Sequence, residues 1–198
     1  MPNTHGNGPR NVPGASPPIP YRDNARGPSI ITNDGQFFYF EEPEKYEYSY
    51  PVIGHALANI CRFAGQGGWW SVGQHSILVA QLALPKDTLR ALLHDASEAF
   101  MVDVPGPLKS MPFMDGYREL EARVTRAIHK QFGIPKDEEA ERRVKEIDLA
   151  VRPAEAHMIG IGYGEDNGHV EIPRWIVKLG RNMVADEFVR QAKWCSEQ

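Results

Sequence analysis

From Pro51 to Trp194 the apolar residues recur every three or four positions, and the breaks between repeats are short and rich in proline or glycine. Helices that each bury one stripe give that pattern, so it predicts a bundle rather than a sheet. Helices are expected over residues 52–63, 71–84, 85–101, 114–132, 136–158 and 179–194, the fifth kinked at Pro153. Ser71-Val72-Gly73-Gln74 has the form of a capping box and should start the second helix. Pro105 and Pro107 cannot continue the third, and Gly133 suits the residue just past the fourth. Ahead of the helices, Gln36-Phe37-Phe38-Tyr39-Phe40 reads as a short strand or extended segment. The expected fold is therefore all-α, or mostly α.

The 198 residues suffice for one domain with a sizeable core. Residues 1–28 hold seven of the 16 prolines and few apolar side chains, and read as a flexible arm. Residues 29–198 read as a single domain. Residues 160–173 form a Gly-rich polar stretch without the Gly-Lys-Ser/Thr ending of a phosphate loop. The net charge of -4 disfavours a stable nucleic-acid binder, whose affinity rests on cations facing phosphate. No apolar run is long enough to span a membrane. Cys61 and Cys195 are too few for a Cys-rich metal site or a disulfide framework, which points to a reducing cytoplasmic setting.

Chemistry concentrates at a few positions. On an ideal third helix, Leu89, Leu92, Leu93, Ala96 and Phe100 form the core stripe, and His94, Asp95 and Glu98 converge on the opposite face. On the fifth, Asp148 shares a buried stripe with Val144, Ile147 and Val151. A buried carboxylate needs a cation, which could be Lys145 three residues earlier or a metal ion. His75 lies just inside the second helix, where a lone histidine is ordinarily a hydrogen-bonded core residue. Together, His75, His94, Asp95 and Asp148 offer two imidazoles and two carboxylates, enough for one divalent ion with open positions.

The order His75, His94-Asp95, Asp148 on helices resembles the HD-domain metal-dependent phosphohydrolases. The segments SVGQHSILVA, LLHDASEAFMVDVPGPLK and VKEIDLAV extend the likeness to the 5′-deoxynucleotidase branch and to phage dATP triphosphohydrolases. Those phage enzymes clear dATP where 2-aminoadenine replaces adenine. The resemblance covers about residues 35–155. It implies an HD-type helical bundle with His75, His94, Asp95 and Asp148 as ligands of one divalent ion (Zn, Mn or Co), and room for a Mg ion carried by a triphosphate. It implies that Glu98 orients water or shuttles a proton, and that Asp103 sits near the scissile phosphate and the leaving oxygen. Lys109 and Lys145 would bind phosphate. Arg62 would hold phosphate or sugar, with Phe63 against the base or deoxyribose. Two departures touch the base pocket. Phe63 stands where those enzymes carry Trp, and Ala64-Gly65-Gln66-Gly67-Gly68 is small where adenine-selective relatives are bulkier.

The expected activity is hydrolysis of dATP to deoxyadenosine and triphosphate, with a deoxynucleoside 5′-monophosphatase and a non-catalytic nucleotide-binding module as alternatives. The expected partners are a deoxynucleotide and further copies of the chain, as a dimer or hexamer. For a phage-encoded protein the compartment would be the host cytoplasm. Trp69 and Trp70 read as core plugs, His55 as a core hydrogen-bonding residue, and residues 138–143 as a solvated charged face with Glu141 pairing Lys145.

Overall fold

The structure, a computed structural model, describes residues 26–162 and 178–197. Most of the expected arm and most of the Gly-rich stretch lie outside the described residues. The chain starts with a small antiparallel hairpin, β1 (Ser29–Ile31) and β2 (Phe37–Tyr39), in the register Ile30 opposite Phe38. Eight α-helices follow among the described residues, so the fold is a mostly-α bundle. They are α1 (Tyr50–Asn59), α2 (Val72–Leu82), α3 (Thr88–Leu92), α4 (Glu98–Met101), α5 (Gly106–Lys109), α6 (Asp115–Gln131), α7 (Glu138–Met158) and α8 (Arg181–Ser196). No helix among the described residues is long and apolar enough to cross a membrane.

Local signals explain where the helices begin. Ser49 caps α1, and Ser71 Oγ accepts from Gln74 N at 3.1 Å to cap α2. The reciprocal half of the capping box is replaced, because Gln74 Oε1 accepts instead from Leu179 N, tying α2 to the approach of α8. Asp137 caps α7, whose first turn is acidic and suits the helix dipole. Gly133 takes a φ of 67° just beyond α6, a conformation that glycine adopts without a Cβ clash.

The core sits where α1, α2 and α3 meet α8 and α7. Phe38 of the hairpin joins Tyr46, Tyr48 and Phe100, with ring centroids 4.5 to 6.3 Å apart. This aromatic plug fixes the hairpin against the helix that carries Glu98. Gly73 lets α2 pass close to α1, since a Cβ there would lie 3.1 Å from Ala58 N and 2.8 Å from Val184 Cγ1.

One expected helix is broken. Residues 85–101 form a 3-10 turn (Pro85–Asp87), then α3, then a tight turn over residues 93–97, then α4. Backbone bonding changes there from i−4, Leu93 N to Leu89 O, to i−3, Ala96 N to Leu93 O and Glu98 N to Asp95 O. Asp95 and Ser97 are poor interior helix formers, which favours the tightening. With three residues per turn, Asp95 and Glu98 come nearly into line. The polar trio also does not face solvent. Glu98 is buried at 6% exposure, and His94 and Asp95 are half-buried.

Candidate metal centre

Three elements supply the four residues of the central cluster: the first turn of α2 (His75), the 93–97 turn (His94, Asp95) and α7 (Asp148). His75 Nε2 and His94 Nε2 are 3.2 Å apart. Asp95 Oδ2 lies 3.1 Å from His94 Nε2 and 3.6 Å from His75 Nε2. His75, His94 and Asp95 each offer one atom within 4.8 Å of the others, a group that could hold a metal ion. Asp148 stands at its edge, with Oδ1 3.3 Å from His75 Nε2 and Oδ2 held by Lys145 at 2.6 Å. Lys145, one of the two partners considered for Asp148, thus holds one oxygen, and the other oxygen faces the histidine cluster.

The donor chemistry fits a divalent ion. His94 Nδ1 is 2.7 Å from Ala91 O, and His75 Nδ1 is 2.8 Å from Glu155 Oε1. Both acceptors demand N–H at Nδ1, so in the neutral tautomers both Nε2 lone pairs face each other. Such an arrangement is repulsive without a cation between them. Ligand atoms about 2.1 Å from a zinc-like ion stand roughly 3.0 to 3.4 Å apart, which matches the His75–His94, His94–Asp95 and His75–Asp148 separations, with His75–Asp95 slightly wider at 3.6 Å. A histidine ligand oriented by a carboxylate or carbonyl on its other nitrogen is the usual outer support of such sites.

The electrostatics point the same way. Burial works against ionised Asp95, but His94, His75 and Arg62 hold its carboxyl well below the ordinary range. Burial likewise opposes Asp148, and His75 with Lys145 outweighs it, keeping that carboxylate ionised. Glu98 goes the other way. Burial, then the charges of Asp95 and Asp103, push its carboxyl well above the ordinary value, and its Oε2 is buried with no hydrogen-bond partner among the described residues. Asp103 is also raised, by burial and Asp95, against the pull of Arg62. It follows Val102, a β-branched residue held at φ 64°. Tyr117 Oη donates to the Met101 and Val102 carbonyls at 3.1 and 3.2 Å, which pins this strained turn.

Glu155, which the sequence reading leaves unassigned, completes the cluster. It is fully buried, accepts from Trp70 Nε1 at 3.0 Å as well as facing His75, and lies 3.3 Å from the Arg62 guanidinium. It continues the Val144, Asp148, Val151 stripe by four residues, a spacing that would have found it. Trp70 is the buried core plug expected, while Trp69 is half-buried with the Arg181 guanidinium 4.1 Å from its ring centroid.

Arg62 is buried and bridges Glu155 and Asp95, the latter at 3.7 Å. Phe63 follows at φ 55°, with the Arg62 guanidinium 5.5 Å from its ring centroid. Lys109 is drawn toward Glu121 at 2.6 Å. Two expectations fail. Glu141 pairs with Arg90 rather than Lys145, because α7 turns it toward α3, and His55 is exposed on the outer face of α1.

Two cavities open on the cluster. One, of about 770 Å³, is walled by Arg62, Phe63, Asp103, Pro105 and Ile161. The other, of about 790 Å³, runs between α6 and α7. Asp95, Glu98, Lys109, Arg118 and Lys145 line both.

No family model matches the chain. It is 34% identical over 136 residues to the uncharacterized protein YfdR of Escherichia coli (strain K12), covering 68% of this chain and 74% of that protein. It is 35% identical over 136 residues to an uncharacterized protein of Rhodobacter capsulatus, covering 63% of this chain and 68% of that protein. At this identity and coverage, the chain belongs to the same family as YfdR.

Proposed function

We propose that the chain is a metal-dependent deoxynucleotide phosphohydrolase of the HD-domain class, acting on dATP to give deoxyadenosine and triphosphate in control of a nucleotide pool. The observation that carries this reading is the pair of imidazole Nε2 atoms 3.2 Å apart, flanked by Asp95 and Asp148. His75, His94, Asp95 and Asp148 would hold the ion. When bound, it supplies Lewis acidity toward a phosphoryl oxygen and makes a nearby water easier to deprotonate.

The chain's own residues do the rest. Arg62 and Lys145 border the cavity shared with Phe63 and place positive charge where phosphate oxygens would lie. Lys109 adds a third cation. Glu98 and Asp103, both with raised carboxyl pKa values, are placed to move a proton. One would take it from the attacking water, and the other would give it to the departing 5′ oxygen. Phe63, Pro105 and Ile161 offer apolar surface for the nucleoside.

The test is a product assay on purified protein with dATP, dGTP, dCTP, dTTP, ATP and the matching monophosphates, each with Zn, Mn, Co and Mg. Deoxyadenosine plus intact triphosphate from dATP supports the proposal. Phosphate released only from monophosphates replaces it with a 5′-monophosphatase served by the same residues. No product across a metal-loaded panel would reject hydrolysis of these nucleotides.

A further inference from the structure

The chain as a whole is acidic, with 22 Lys and Arg against 26 Asp and Glu. The cavity between α6 and α7 reverses that balance, with seven Lys and Arg on its walls against four Asp and Glu. Two of those four, Asp95 and Glu98, belong to the central cluster. The other two, Glu121 and Glu141, are taken up by Lys109 and Arg90. Arg126 and Lys130 form no ion pair among the described residues, and both are exposed on the cavity rim. With Arg118, itself paired with Asp115, they lie on one ridge of α6, eight and then four residues apart with Ala122 in the gap, a row of about 18 Å from end to end. Charge repulsion along such a row favours an anion that can bridge it.

The kind of anion follows from what the walls lack. No Phe, Tyr or Trp lines this cavity among the described residues, so it offers no aromatic platform on which bases would stack. The neighbouring cavity has Phe63 and Ile161. Of the five residues common to both cavities, Asp95, Glu98 and Lys145 lie at or beside the cluster, so a group bound there can extend into each.

We propose that the α6–α7 cavity binds a linear chain of phosphates that the substrate carries beyond the attacked phosphorus, with Arg126 and Lys130 as its outer counter-charges. This rests on the phosphohydrolase reading and assigns the two ends of its substrate to the two cavities. The nucleoside occupies the Phe63 side and the phosphate tail the α6 side.

The experiment is calorimetric titration of the full chain with inorganic triphosphate, orthophosphate and a short oligodeoxythymidine, in excess magnesium, for wild type and Arg126→Ala/Lys130→Ala. Both positions are exposed, so the variant keeps its core. Triphosphate should bind wild type roughly tenfold or more tighter than orthophosphate, and the double variant should lose about that factor for triphosphate. Equal affinity for the two anions, or unchanged triphosphate binding by the variant, overturns the proposal. Oligonucleotide binding that depends on both cations, without triphosphate binding, also overturns it and makes the cavity a nucleic-acid groove. Triphosphate binding lost in the variant, from a protein that cleaves no nucleotide, supports the anion site and rejects the hydrolase reading separately.

Discussion

Asp148 and Glu155 sit seven residues apart on α7 and grip opposite nitrogens of one imidazole, His75 Nε2 at 3.3 Å and Nδ1 at 2.8 Å. Seven residues make nearly two helical turns, so both carboxylates face the same way. Glu155 also balances the buried Arg62. Glu155→Ala should therefore leave Trp70 Nε1 and His75 Nδ1 without an acceptor, remove one counter-charge from Arg62, and lower stability by about 3–5 kcal/mol. It should weaken metal binding roughly 10- to 100-fold. Glu155→Gln keeps one acceptor oxygen and should lose less of both. Thermal unfolding and metal content after dialysis measure the two effects, and an Ala variant with normal metal affinity would remove Glu155 from its supporting role.

Ligand and proton-transfer roles separate by what each variant retains. His94→Ala and Asp148→Ala should lose metal and turnover together. Glu98→Ala should keep its metal and lose turnover by roughly 10²- to 10⁴-fold. An active, metal-replete Asp148→Ala protein would overturn the ligand assignment.

Proton and metal compete for His75. Burial and Arg62 favour its neutral form, but Glu155 and Asp148 outweigh them and raise its pKa above the ordinary value of 6.5. In the metal-free protein this proton stabilises the fold at acid pH, and that contribution is lost as pH rises through the raised value. Metal must displace the proton, so apparent metal affinity should fall by up to about tenfold per pH unit below that value. Competition titrations with a chelator from about pH 5 to 8 would show this, and a flat profile would contradict it.

His129 behaves in the opposite sense. Burial, then the charge of Arg90, depress its pKa to about 4, and its buried Nε2 has no hydrogen-bond partner among the described residues. The fold thus holds the ring neutral, while the unfolded chain takes up a proton near the ordinary 6.5. Its contribution is full above that value and is lost as pH falls toward 4. With the ring partly exposed, the loss is about 1–2 kcal/mol. His129→Leu should flatten the dependence of Tm on pH in that window.

Gly73→Ala tests the close passage of α2. Its Cβ would meet the Val184 side chain at 2.8 Å and α1 backbone at 3.1 Å. A loss of about 1–3 kcal/mol is expected by chemical denaturation. Ala at Gly116, where nothing lies within 4 Å of a Cβ, should not destabilise.

Much of this architecture is legible in the residues. The stripes of α2, α6 and α7 and the caps at Ser71 and Gly133 follow from local chemistry. The place of Asp148 on a buried face follows from spacing alone. Two features escape. The break at residues 93–97 depends on bonding preferences that compete within one turn, and periodicity is blind to that choice. Glu155 escapes because the stripe is followed only to Val151, before the kink expected at Pro153. In the fold α7 runs through Pro153, and the stripe gains one more member.

The segment carrying Arg62 and Phe63 leaves and returns at one point. Cys61 bridges Ser71, Arg62 N donates to Trp70 O at 2.8 Å, and Val72 N donates to Ile60 O at 3.0 Å. Ser71 also caps the helix that bears His75. The neck of the segment is therefore anchored to the same frame as the His75, His94 and Asp95 cluster, while residues 64–66 at its tip are exposed. Replacing the tip changes the cavity wall beside Phe63 and leaves the spacing between Arg62 and His75 intact. The tip can therefore vary in sequence without disturbing the frame that holds Arg62 and His75.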